Sequence, residues 1–243
     1  MSTSVLGIVY DPHGRSRQDR GGDLKICADG LIDRCERLTL YVADEAAAFP
    51  SSSPFPLWGP RPVGVLDLAS PQTQDCIDSV GRALTSAGYD VHWYDNAQTV
   101  PDDYGSRGHL PSRDWADGEA SPAAVTVNFL RRPASLSVPD WVARWHGVMS
   151  PVSGDLQPRS RYVRNHLTRP HDAHSPPWEG VAMESWPSPR HIANPMLFYG
   201  ASTRLQMLRN MLAIVRAVHH CFWIWQVHTV PMTEFFLRTP EDA

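Results

Sequence analysis

Val125-Thr126-Val127-Asn128-Phe129-Leu130 alternates apolar and polar side chains, the signature of a strand with one buried face. Around this run the second half of the chain falls into order. A helix starts near Ser137, with Pro139 in its first turn. Strands follow at 162–167 and 180–186. Asn194-Pro195 caps a long helix whose apolar stripe is Ala201, Leu205, Leu208, Leu212, Val215 and Val218. Residues 222–230 read as a last strand.

The first half repeats that order. Val5-Leu6-Gly7-Ile8-Val9-Tyr10 is a β-branched run that stops at Asp11-Pro12. A helix is expected over 23–38, with Leu24, Cys27, Ala28, Leu31, Cys35 and Leu38 on one buried face. Strands at 38–42 and 63–68 flank a proline-rich loop over 50–62. Ser70-Pro71 opens a helix with a stripe of Ile77, Val80, Leu84 and Ala87, and Gly88 ends it. A fourth strand spans 89–94. Strand-helix-strand-strand-helix-strand, twice over, is a duplicated ferredoxin-like unit, class α+β. The expected layout is a first repeat at 1–95, an aperiodic linker rich in Asp, Gly, Pro and Ser at 96–122, and a second repeat at 123–243. Helices would cover one face of each sheet, and the two sheets would join into a closed barrel that buries their edges.

The bulk numbers narrow the class. With 243 residues, 42% hydrophobic and 20% charged, the chain is globular, and no apolar stretch reaches membrane-span length. The start lacks a secretory signal, which predicts a cytoplasmic protein. Residues 1–120 carry 10 basic and 18 acidic side chains, net −8; residues 121–243 carry 12 and 8, net +4. That balance is no nucleic-acid footprint. The four cysteines form no Cys-x-x-Cys pair. Lys25 is the single lysine, so Schiff-base chemistry has one candidate, beside a helix start. His171-Asp172-Ala173-His174 sits between prolines and reads as a surface loop, so no metal site is expected. Dinucleotide, Walker and Gly-x-Ser-x-Gly motifs are absent.

A family likeness enters at residues 137–167. Ser137-Val138-Pro139-Asp140-Trp141-Val142-Ala143-Arg144-Trp145-His146-Gly147, then Arg161-Tyr162-Val163-Arg164-Asn165-His166, resembles the helix and following strand of the EthD family, with Trp141 where the family has Phe. Glu179-Gly180-Val181-Ala182 is similar to its third strand, with Glu179 for Asp and Glu184 one position late. The resemblance spans about residues 125–235. It implies a dimeric α/β-barrel-type fold whose second repeat bears the site. The superfamily it implies includes cofactor-free lyases, isomerases, cyclases and oxygenases, and some heme enzymes.

Alternation in the second strand turns Tyr162, Arg164 and His166 one way and Val163, Asn165 and Leu167 the other. The aliphatic set is expected under the helices, and the polar set, with Asn128, inside the barrel. His146 would reach in from its helix end. Trp178, Ala182, Glu184 and Trp186 share a face, and Trp223 and Trp225 another. The expected site therefore has His146 as acid/base, with Tyr162, Arg164 and His166 as polarising groups. Asn128, Trp145, Trp178, Glu184, Trp223 and His228 would bind the substrate. The structural alternatives are a His146 that caps its helix and tryptophans that fill the core.

The expected function is proton-transfer chemistry on an aromatic or polyketide-like compound of secondary metabolism: dehydration, cyclisation, isomerisation or decarboxylation, by a lyase or isomerase without a cofactor. The alternatives are a cofactor-free or heme-dependent oxygenase of the same superfamily, and a non-catalytic binding or assembly protein. The expected partner is an aromatic or apolar small molecule, with no nucleic acid or membrane, in a monomer or homodimer.

Overall fold

The computed structural model describes residues 3–30, 32–51, 60–70, 72–106 and 112–240. The loop predicted at 50–62 falls largely outside them, as do Leu31 and Pro71 of the predicted helices. Its elements are β1 (Thr3–Tyr10), α1 (Arg17–Asp29), β2 (Arg37–Val42), β3 (Pro62–Ser70), α2 (Thr73–Ser86), β4 (Asp90–Asp102) and β5 (Ala124–Leu130), then α3 (Val138–Arg144), a π-helical turn (Trp145–Met149) and α4 (Ser150–Leu156). There follow β6 (Arg161–Pro170), β7 (Gly180–Trp186), α5 (Pro189–Ala193), α6 (Pro195–Phe198), α7 (Arg204–His219) and β8 (His228–Arg238).

The fold is mixed α+β, built on a closed antiparallel barrel of eight strands in the order β1-β3-β2-β8-β5-β7-β6-β4. Each half contributes four consecutive neighbours: β4-β1-β3-β2 and β8-β5-β7-β6. Closure comes from two pairings between the halves, β2 with β8 and β4 with β6. No strand edge of the barrel is left open, which removes the usual template for aggregation.

The barrel interior is the reverse of the sequence expectation. Val125, Val127, Phe129, Val163, Leu167, Val181 and Met183 pack there with Leu6, Ile8 and Val65 of the first half. The aliphatic sides of the strands thus face inward, not the helices. Large side chains from all eight strands converge on the axis, and apolar groups lose most water there. At one end the interior is polar: Arg161 pairs with Glu234 (2.9 Å) and Asp103 (2.8 Å), and Tyr104 donates to Glu234 (2.6 Å). The outer face carries Leu130, Trp141, Trp145, Tyr162, Ala182, Cys221 and Phe222 beneath the second-half helices. Gly180 makes this fit: a Cβ there would stand 3.0 Å from the rings of both Trp141 and Trp145.

Several boundaries moved. Helix α1 begins six residues earlier than read, because Ser16 caps it by accepting from Asp19 N–H. It ends at Asp29, so Cys35 lies beyond it and meets Cys76, sulfur to sulfur 3.8 Å, across the core. Strand β4 runs on to Asp102, through part of the predicted linker, because β6 pairs with it as far as Tyr162 opposite Asp102. The long last helix is broken: α6 ends at Phe198, the chain turns at Gly200, whose φ of +55 suits a residue without Cβ, and Thr203 caps α7 anew. The last strand starts at His228, and Pro231 sits inside it, opposite Thr126. Trp223 therefore precedes that strand, beside a short 3-10 turn at Ile224–Gln226.

Candidate functional site

Strands β5, β6, β7 and β8 turn Asn128, Tyr162, Glu184 and Thr229 to the side covered by helices. Register makes them neighbours: Tyr162 lies opposite Glu184, and Asn128 opposite Thr229. Above them is a cavity of about 330 Å³. Its floor is those four residues with Ala182 and Leu130. Its walls are Trp145 and Met149 of the π turn, Phe198 and Tyr199 at the end of α6, and Met211, Ile214, Val215 and Val218 of α7. Gln157, Phe222, Ile224 and Val227 complete it.

The floor is a connected polar row. Thr229 Oγ1 donates to Asn128 Oδ1 (2.6 Å), and Asn128 Nδ2 donates to Glu184 Oε2 (3.0 Å). Arg159 Nη1 donates to Glu184 Oε1 (2.7 Å). Arg159 is 1% exposed, and among the described residues its Nε and Nη2 have no hydrogen-bond partner. Its guanidinium lies 3.9 Å above the Tyr162 ring. A fixed, buried cation next to a carboxylate and a phenol stabilises negative charge that develops on either.

Tyr162 is oriented by its neighbours. Trp145 Nε1 donates to the phenol oxygen (3.0 Å). Ser150 directs its own proton to the Trp145 carbonyl (2.8 Å). Ser150 Oγ also reaches the phenol oxygen as a distant donor (3.5 Å), and the phenol's own proton points to Met149 Sδ at 4.0 Å. Burial raises the Tyr162 pKa above its ordinary value. The group is a neutral donor whose proton can turn to a ligand oxygen in the cavity.

Four residues expected from sequence meet here: Asn128, Trp145, Tyr162 and Glu184. The rest lie elsewhere. His146, Arg164 and His166 gather on the outer face of β6, away from the cavity lining. His146 is half-buried, and among the described residues its Nε2 has no hydrogen-bond partner. Burial, then Arg164 and His166, push its pKa down to about 4. His166 packs edge-on to Trp141 (5.8 Å between centroids), and Arg164 Nε donates to Thr99 (3.0 Å). The expected cavity inside the barrel, lined by Arg164 and His166, is thus replaced by one outside it, because the interior takes the aliphatic set. Trp178 parts from Ala182 and Glu184: it joins the interior cluster, donates to Tyr10 Oη (2.9 Å) and stacks edge-on to His228 (5.0 Å). Burial and Arg131 lower the His228 pKa. Trp223 stacks on Trp225 at the surface.

Gln157, Arg159, Tyr199 and Thr229 were missed. Arg159 gives no periodic signal, standing in the loop just before β6; Thr229 needed the true start of β8, from which alternation with Val230 would have turned it to Asn128. Among the described residues no group of three or more His, Cys, Asp or Glu could hold a metal ion. Among the described residues no histidine lines this cavity, so it offers no imidazole as axial ligand for the heme alternative.

No protein-family model matches the chain, and no curated protein matches it. Among solved structures the chain resembles an anthrone oxidase-like protein: 10% identity, TM-score 0.56, over 98% of this chain and 94% of that one. A dye-decolorizing protein from V. cholerae aligns at 9% identity and TM-score 0.42, over 96% and 93%. The first likeness is one of fold.

Proposed function

We propose that the chain is a small-molecule enzyme that moves a proton on a flat, mostly apolar carbonyl compound without an organic cofactor. The observation that carries this reading is the Tyr162–Glu184 pair at the floor of an aromatic-walled cavity. A phenol whose proton meets just the distant Met149 sulfur and a carboxylate held by Arg159 and Asn128 stand on adjacent strands. Tyr162 would donate to the carbonyl oxygen. Glu184 would take a proton from the neighbouring carbon. The C–H electrons form the new C=C bond, and the enolate oxygen keeps the Tyr162 hydrogen bond. Return of the proton elsewhere gives isomerisation; loss of a leaving group gives dehydration, as in a lyase. An oxygenase would begin from the same enolate, and an oxygen electrode in the assay separates the two.

The substrate class we favour is a polycyclic aromatic ketone of the anthrone kind. The cavity supports this by its volume of about 330 Å³ and its walls of Trp145, Phe198, Tyr199 and Phe222. We further read the barrel as two ferredoxin-like repeats, 1–95 and 123–243, the second similar to EthD proteins on the residues quoted above. Each half orders its strands fourth-first-third-second, which supports the duplication.

Turnover of an anthrone-type ketone, followed by its enol absorbance, tests the reading. Tyr162→Phe should lower kcat by about 10–10³-fold, and Glu184→Gln by about 10²–10⁴-fold. Both variants should remain folded. His146→Gln should stay within about threefold of the parent, since proton transfer by a group outside the cavity has no path to substrate. Full activity in Tyr162→Phe and Glu184→Gln would remove this site from the chemistry.

A further inference from the structure

Helix α7 has two apolar faces. One, with Met211, Ile214, Val215 and Val218, closes the cavity. The other faces solvent: Leu205 is 69% exposed, Leu208 46% and Leu212 64%. At 100° per residue these three leucines fall within about 60° of one another. Close behind in sequence, Trp223 (40% exposed) and Trp225 (50%) stack with centroids 5.1 Å apart. His219, at the helix end, lies against Trp225 (6.3 Å). Large exposed apolar groups gathered on one short segment mark a docking surface.

Charge says what it meets. Residues 185–233 contain no Asp or Glu. Arg204, Arg209, Arg216 and His219 lie on α7, and His220 follows it. Among the described residues the three arginines have no ion-pair partner. We propose that this face of α7, with the Trp223–Trp225 pair, docks on an anionic lipid surface. Leucine and tryptophan would enter the headgroup boundary while arginine stays at the phosphates. A second copy joined about a twofold would set arginine against arginine. The expectation of no membrane partner rested on the lack of a spanning stretch, and docking of this kind needs none.

The same helix roofs the cavity, so an apolar substrate dissolved in the bilayer would lie one helix away from Tyr162; this delivery role rests on the function proposed above. The docking itself does not. Co-sedimentation of the full chain with phosphatidylglycerol vesicles and with phosphatidylcholine vesicles tests it. The parent should bind the anionic vesicles at low salt and release from them at high salt. Leu208→Ser/Leu212→Ser and Arg209→Glu/Arg216→Glu should each weaken binding at least about tenfold, with an unchanged Tm. Failure to bind anionic vesicles, equal binding to both kinds, or variants that bind like the parent would overturn the proposal. So would a dimer, seen by light scattering, that the leucine variant dissolves; the face would then belong to a second copy. Turnover of detergent-dispersed ketone should be unchanged in both variants. Loss of turnover in the parent itself would count against the catalytic reading and leave the vesicle result standing.

Discussion

His146 shows how position overrides residue type. It is the side chain most suited to proton transfer at neutral pH, yet it sits on a helix turn facing Arg164 and His166, with its pKa pushed down to about 4. It is therefore neutral in the native state near pH 7. In the unfolded chain its pKa returns to about 6.5. As pH falls from about 6.5 towards 4 the unfolded state takes up the proton and the native state does not, so stability falls, then levels once both are protonated. His166 and His228 are lowered by burial too and act with the same sign. His146→Gln should flatten the decline of Tm between pH 6.5 and 4 and leave Tm at pH 8 nearly unchanged. An equal decline in parent and variant would mean that His146 does not titrate as described.

At the scale of the element, tight packing explains both what sequence revealed and what it hid. The helix opening at Ser137 was legible because the cap chemistry is local: Ser137 Oγ accepts from Asp140 N–H. Strand β7 was legible too, with its seven residues read in place. The faces were not. In α7 a stripe at the right spacing, Leu205, Leu208 and Leu212, proved to be the exposed side, because Ile214 and Ala217 hold the buried one. Periodicity tells that a helix has a face, and only the neighbour across from it decides whether that face is covered. Gly180 is the element-level fulcrum of the site, since it lets the Trp141 and Trp145 rings approach β7 closely. Gly180→Val would force both indoles away and should cost about 1–3 kcal/mol. It should also disturb Tyr162 through the Trp145 hydrogen bond. Chemical denaturation read together with ligand binding checks this, and a variant as stable as the parent would contradict it.

For the whole molecule the order of elements in the sequence was enough to expect a closed barrel, but not to tell inside from outside. Both faces of β5 and β7 are buried throughout, so alternation separates two cores rather than core from water. The cavity lay on the helix side because the polar residues Asn128, Tyr162 and Glu184 find partners there, while Val127 and Val163 meet the opposite half. The halves are joined inside by Arg161 of β6, whose guanidinium bonds Glu234 of β8 and Tyr41 of β2. Arg161→Met leaves Glu234, 0% exposed, without its cation and should cost about 3–5 kcal/mol. Arg161→Met with Glu234→Leu should recover part of that loss. A single variant with parental stability, measured by urea unfolding, would show that the Arg161 charge does not hold the polar end of the barrel together.

The most direct test of the central claim is a crystal of the protein soaked with 1-naphthol, a flat phenol small enough for the cavity between α7 and the strands. The account predicts density beneath Trp145, with the naphthol oxygen within hydrogen-bond distance of Tyr162 Oη, and none in crystals of Tyr162→Phe/Ala182→Leu. Naphthol bound beside His146 and Arg164 instead, with the cavity empty, would contradict it.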